Sequence, residues 1–286
     1  MCCTTDTLQS ICRLAVAGKG YGRIELERQA VQSVSMVGDP SLSSVPAEPP
    51  LLLVAHGSPD RQWHAAADRF LAACRTRFPH RPVQMAFISE WQPLSQLLLA
   101  GQPWPNGGAV QPLFLVAGRH LQRDLPQLLQ GYPLHLLPPL IDTHAVSEAL
   151  HARALECWPE ADAVVLLGNG SREPDAEEQL FELADDLQVR MGEQEIYPAF
   201  LGHSRHDLPA TMSQLAADGA RRILLLPHML FPGRWQQRLA LQLQGFRATH
   251  NAPSLRVAPP LGHHPLLLDL IEQHLADQQR EHGRIR

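Results

Sequence analysis

From Pro50 onward, short runs of consecutive apolar residues alternate with longer stretches of helical period. Leu51–Ala55 is an unbroken apolar run ending in His56-Gly57-Ser58, the pattern of a strand buried on both faces that opens into a loop. The pattern then predicts a helix over 62–78, a strand over 82–88, a helix over 93–100 and a strand over 109–115. A helix over 120–129, a strand over 133–137 and a helix over 144–157 complete one round. A second round follows in the same order. Its strands are expected at 163–167, 196–201, 222–226 and 255–258, and its helices at 174–190, 207–217, 234–246 and 265–279. Strands alternating with helices imply parallel sheets with right-handed crossovers. The expected fold is therefore α/β, with two similar parallel-sheet lobes facing a central cleft.

Direct comparison of the two rounds supports an internal duplication. AHGS (55–58) aligns with GNGS (168–171), AFISE (86–90) with AFLGH (199–203), and PLFLVAGRHLQR (112–123) with PHMLFPGRWQQR (227–238). The first two pairs share an offset of 113 residues (56 to 169, 90 to 203), and the third is offset by 115 (112 to 227). Pro138-Pro139-Leu140 and Pro259-Pro260-Leu261 follow in order at an offset of 121 (138 to 259). Motifs kept in order at nearly one spacing mark a repeat. The expected division is a lobe over 50–160, a lobe over 161–280, and an N-terminal extension over 1–49 expected to be partly disordered. Gly18-Lys19-Gly20 in that extension is not a phosphate loop, because no strand precedes it.

Composition narrows the partners. Of 286 residues 44% are hydrophobic, enough for two cores, yet no apolar run approaches the ~18 residues of a membrane helix. The first residues lack the basic and apolar regions of a secretory signal, so a cytoplasmic protein is expected. A formal charge of −5 with mixed signs argues against nucleic acid. The five cysteines form no metal-binding spacing and are expected to be reduced thiols.

The candidate chemistry lies in the loops after the strands, where open parallel sheets bind ligands. In the first half His56 follows the first strand, Glu90 the second, and His120 opens the helix after the third. Singly these read as a turn histidine, a solvated carboxylate and a helix-start residue. Together, at ends of strands only ~4.8 Å from their neighbours, two imidazoles and a carboxylate suit a divalent first-row metal. Their second-half counterparts are Asn169, His203 and Trp235, so the scaffold is duplicated and the ligand set is not. That asymmetry fits two lobes sharing one cleft, with the metal on the first. His228 and His263-His264 are weaker candidates, and the other histidines read as surface or packing residues. Ser58 and Ser171 could bond a ligand carboxylate, although turn stabilisation is the simpler role. No G-x-S-x-G elbow supports a serine hydrolase.

At LLLVAHGSPD (51–60), AFISEWQPLSQLL (86–98), QPLFLVAGRHLQRDLP (111–126), LLGNGSREPD (166–175) and LLLPHMLFPGRW (225–235), the chain resembles the class II chelatases. The resemblance is to their sirohydrochlorin cobaltochelatase and ferrochelatase group, in its long two-lobed form, and runs from about Pro50 to Gln279. It implies ATP-independent insertion of a divalent metal into sirohydrochlorin on the way to cobalamin or sirohaem. Cobalt and iron are the expected metals, and nickel suits the same ligands. By motif His56 and His120 match the metal-binding histidines and Glu90 the acidic position. The chain ends in EHGRIR, with neither a histidine-rich tail nor a cysteine cluster, so no iron–sulfur cofactor is expected. The mechanism expected is that His56 and His120 present the metal while Glu90 assists removal of two pyrrole protons. Trp91, Phe231 or Trp235 would hold the macrocycle bent, Ser58 would bond it, and Arg119, Arg123, Arg234 and Arg238 are candidate anchors for its carboxylates. Sirohydrochlorin is the expected partner, with neither nucleic acid nor membrane, for a monomer or homodimer. The alternative is a non-catalytic metal- or tetrapyrrole-binding α/β protein of the metallochaperone kind. A hydrolase or isomerase using His56 as base ranks lower.

Overall fold

A computed structural model describes residues 48–88, 94–99, 107–171, 174–192, 194–249 and 253–284. Glu90, Trp91 and nearly all of the 1–49 extension lie outside them.

The first round folds as β1 (Leu51–Ala55), α1 (Arg61–Arg77), β2 (Val83–Phe87), α2 (Leu94–Leu99), β3 (Gly108–Pro112), a π-helical turn (His120–Asp124) running into α3 (Leu125–Leu129), β4 (Leu134–Leu136) and α4 (Thr143–Cys157). The second gives β5 (Ala163–Gly168), α5 (Pro174–Met191), β6 (Glu195–Phe200), α6 (Leu208–Ala217), β7 (Arg222–Pro227), α7 (Arg234–Thr249), β8 (Ser254–Val257) and α8 (Pro265–Arg284). Each makes a four-stranded parallel sheet, ordered β2-β1-β3-β4 and β6-β5-β7-β8. The two orders are the same, as duplication requires.

The sheets form because their central strands are apolar on both faces. In β1, Leu51, Leu53 and Ala55 face inward while Leu52 and Val54 face outward, and none of the five is more than 1% exposed. The outward face of the first sheet is covered by Leu94, Leu98, Leu125 and Leu129 of α2 and α3. That of the second is covered by Met212, Leu215, Leu239 and Leu243 of α6 and α7. Between the sheets, Phe70 of α1, Leu150 of α4, Leu187 of α5 and Ile271 of α8 join both inward faces in one continuous core. Each fully buried leucine there contributes about 1.5–3 kcal/mol before conformational entropy is counted. Polar contacts cross the same seam. Arg190 of α5 donates its Nε–H to the Ser147 hydroxyl of α4 at 2.7 Å, and Ser147 also bonds Asp186. That hydroxyl, helped by Arg190, holds the Asp186 carboxyl below the usual carboxylate range.

Helix starts follow local chemistry. Asp60, Asp142 and Asp207 each accept a backbone N–H of the first turn with a side-chain oxygen, at 2.8 Å in all three helices. The helix expected over 120–129 is instead a π-turn followed by a short α-helix. Apolar periodicity cannot distinguish the two over so short a span. Cys74 is a buried free thiol, its pKa pushed up to about 12 by burial. No helix among the described residues is long and apolar enough to cross a membrane.

Candidate metal centre

Strand order decides which loops converge. β1 lies between β2 and β3, so the chain leaves its carboxyl end toward one neighbour while the other neighbour arrives from a later crossover. This is a topological switch point, where open α/β sheets hold ligands. His56 follows β1 and His120 opens the turn beyond β3, and their rings meet edge to face with centroids 4.9 Å apart. At the same position of the repeat Gly57 and Gly170 take φ of +93° and +89°, a left-handed turn that swings the residue before it off the strand.

Each imidazole is oriented by an oxygen on its Nδ1 side. His56 Nδ1 is 3.0 Å from the Gly57 carbonyl oxygen, and His120 Nδ1 is 2.8 Å from Asp124 Oδ2. Those oxygens only accept, so in the neutral rings Nδ1 carries the hydrogen and Nε2 the lone pair. A carboxylate behind a ligating histidine is a common metal-site arrangement, because it fixes the tautomer and raises the basicity of the ring. Asp124 is reached because the π-turn places it over His120, and it also stands 3.9 Å from the Arg119 guanidinium. π-turns recur at functional sites.

A cleft of about 500 Å³ opens on this pair. One wall carries His56, Phe114, Arg119 and His120, and the facing wall carries Asn169, Ser171, Phe200 and His228 of the second lobe. Its volume lies in the range of small-molecule sites. Arg119 is 70% exposed at the side chain, available to an anionic ligand at the rim. His228 is different. Buried at the end of β7, it is pushed down to about 4 by desolvation, so its ring is uncharged at neutral pH.

Several residues expected at the site stand elsewhere. Trp235 packs in the outer core of the second lobe and donates its indole N–H to the Phe231 carbonyl at 2.9 Å, so it is not a cleft wall. Phe231 is itself buried against Trp63 and Phe70, with ring centroids at 5.2 and 5.8 Å. Both large aromatic surfaces went to interior packing, and the half-buried aromatic side chain in the cleft wall is Phe114. Ser58 accepts the Asp60 N–H at 3.2 Å as a turn cap, whereas its counterpart Ser171 lines the cleft. Of the four arginines only Arg119 lines it. His203 is exposed in a left-handed conformation (φ 55°), and His263 and His264 also lie off the cleft. Among the described residues no three His, Cys, Asp or Glu side chains gather closely enough to hold a metal, so a metal bound by this pair would take a further ligand. Glu90, expected in that part, lies outside the described residues. Asp124 was missed, although its spacing of four residues from His120 on a helical stretch was the available signal.

Comparison with known proteins agrees with this architecture. The family model described as CbiX matches twice, over residues 50–157 and again over 163–278. The chain is similar to the sirohydrochlorin ferrochelatase of Bacillus subtilis (strain 168), 26% identical over 226 residues, covering 75% of this chain and 86% of that protein. It is also similar to the sirohydrochlorin cobaltochelatase of Priestia megaterium, 25% identical over 119 residues, 42% of this chain and 39% of the other. Among solved structures, SirB from Bacillus subtilis with Fe3+ superposes with a TM-score of 0.66 at 24% identity, covering 79% of this chain and 94% of that one. Since both halves match one family model in order and the fold agrees, the chain belongs to the CbiX family.

Proposed function

We propose that this chain inserts a divalent metal, cobalt or iron, into sirohydrochlorin without ATP, with His56 and His120 of the 50–160 lobe holding the metal. The observation that carries the reading is the pair of neighbouring imidazoles, each oriented through Nδ1, beside a cleft shared by two lobes. Neutral imidazole nitrogens bind first-row divalent ions at about 2.0–2.1 Å and leave open positions for an incoming ligand. Metal entry displaces two pyrrole N–H protons, and Glu90 is proposed to assist their removal. Phe114 offers apolar surface to the macrocycle, while Arg119 at the rim meets one of its carboxylates. No step calls for ATP or an iron–sulfur cluster, and nickel would bind the same nitrogens. The second lobe, over 161–280, shapes the pocket.

The test is spectroscopic. Protein, sirohydrochlorin and Co2+ or Fe2+ are mixed, and the absorption change on metallation is followed. A rate well above the protein-free control is expected. A rate equal to that control would overturn the chelatase reading in favour of a metal carrier.

Asp124 supplies a second expectation. Asp124→Asn keeps the shape of the side chain but removes the charge behind His120, so Co2+ affinity should fall about 10–100-fold by calorimetric titration with the thermal midpoint nearly unchanged. Unchanged affinity would show that Asp124 does not tune the ligand.

A further inference from the structure

Two cavities share Ala117 and His228 in their walls, and of these only His228 has a polar side chain. His228 lines the metal cleft and also a smaller cavity of about 170 Å³ behind it, bounded by residues of α4 and α5. Besides His228, the polar side chains of that smaller cavity are Thr143, Gln179 and Glu182. Gln179 is engaged at both ends: its Oε1 accepts the Ala117 N–H at 2.8 Å, and its Nε2 donates to the Asp175 carbonyl at 3.0 Å. The Glu182 carboxylate, on an exposed residue, is therefore the basic group that leads from this cavity to water.

We propose that His228 carries the protons displaced from the macrocycle out of the cleft and into the Glu182 cavity. The inference rests on the chelatase reading. Each insertion breaks two pyrrole N–H bonds, the electron pairs stay on the nitrogens to bind the metal, and two protons must leave. Nothing is oxidised or reduced. In that reading the Nε2 lone pairs of His56 and His120 are taken up by the metal, and their Nδ1–H groups face Gly57 and Asp124. An imidazole in the shared wall can take a proton on one ring nitrogen and give up another from its second nitrogen to water or to Glu182. A half-turn of the ring about its Cβ–Cγ bond then brings the bare nitrogen back to the cleft for the next proton. Because burial keeps this ring uncharged at neutral pH, it transmits protons without storing positive charge beside an incoming cation. The backbone fixes its place, since the His228 N–H donates to the Leu167 carbonyl of β5 at 2.9 Å.

His228→Gln retains polarity and approximate size but has no second ring nitrogen. Its insertion rate with Co2+ and sirohydrochlorin should fall about 100-fold, the usual scale for losing a positioned proton-transfer group. Binding of Co2+ alone and the thermal midpoint should stay as in the unaltered protein. In His228→Ala, imidazole added to the solution should restore part of the rate in a saturable way, an effect that a packing role would not produce. A normal rate in His228→Gln would overturn the proposal and leave proton removal to Glu90. A slow His228→Ala that does not respond to imidazole would overturn it as well. If the unaltered protein fails to accelerate metallation, the chelatase reading itself fails, a result distinct from both.

Discussion

Replacing His120 with alanine is expected to slow metal insertion by on the order of a thousandfold, about 4 kcal/mol of lost transition-state stabilisation, in a protein that remains folded. The loss is large because the two described imidazoles act on one ion, and one alone leaves the metal without half of that seat. The structural cost is small. The His120 side chain is 44% exposed and sits in a turn, so its removal opens no interior cavity. His56→Ala should lose a comparable amount, since either change leaves a single ring. The double variant should then be little worse than either single one, as expected for groups that act as a unit. The measurement is the metallation rate of all three proteins alongside their thermal midpoints. A single variant with full rate would remove that histidine from the metal site, and losses that multiply would show two independent roles.

The largest effect on stability is expected at Gly170. Its φ of +89° is one that side-chain-bearing residues rarely adopt, and an added Cβ would fall 1.6 Å from the Gly202 carbonyl oxygen. That neighbour is backbone and cannot rotate away. Gly170→Ala should therefore cost roughly 3–5 kcal/mol, combining left-handed strain with overpacking. It should also move Asn169 and Ser171 in the cleft wall. Gly219 is the control: its φ of +92° is equally left-handed, but an added Cβ would meet nothing within 4 Å. Gly219→Ala should cost only about 1–2 kcal/mol, from strain alone. Urea unfolding of the two variants separates the terms. Equal losses would mean that close approach to Gly202 contributes nothing.

Much of the architecture could be read from the residues because it depends on patterns that survive local variation. Leu51–Ala55 and Ala163–Gly168 are apolar throughout, a requirement of a strand covered on both sides, and the repeat kept its motifs in order. That His56 and His120 come together was legible because neighbouring strand ends of a parallel sheet converge. The cleft walls were harder to foresee. An indole is equally at home in a core or against a macrocycle, and nothing local says that Trp235 spends its N–H on the Phe231 carbonyl. The Asp124 contact depends on a π-turn that leaves no mark on apolar spacing. His228 stood out weakly because its role depends on what two other elements place behind it.

The single interior running between the sheets makes the second lobe indispensable even though it lost the matching ligands. Each half turns its apolar inner helices and strand faces toward the other, so an excised half would expose that surface to water and aggregate. Duplication here did not create a spare part free to be lost or to acquire a separate life. It produced two halves of one body that bury their inner faces in a shared core.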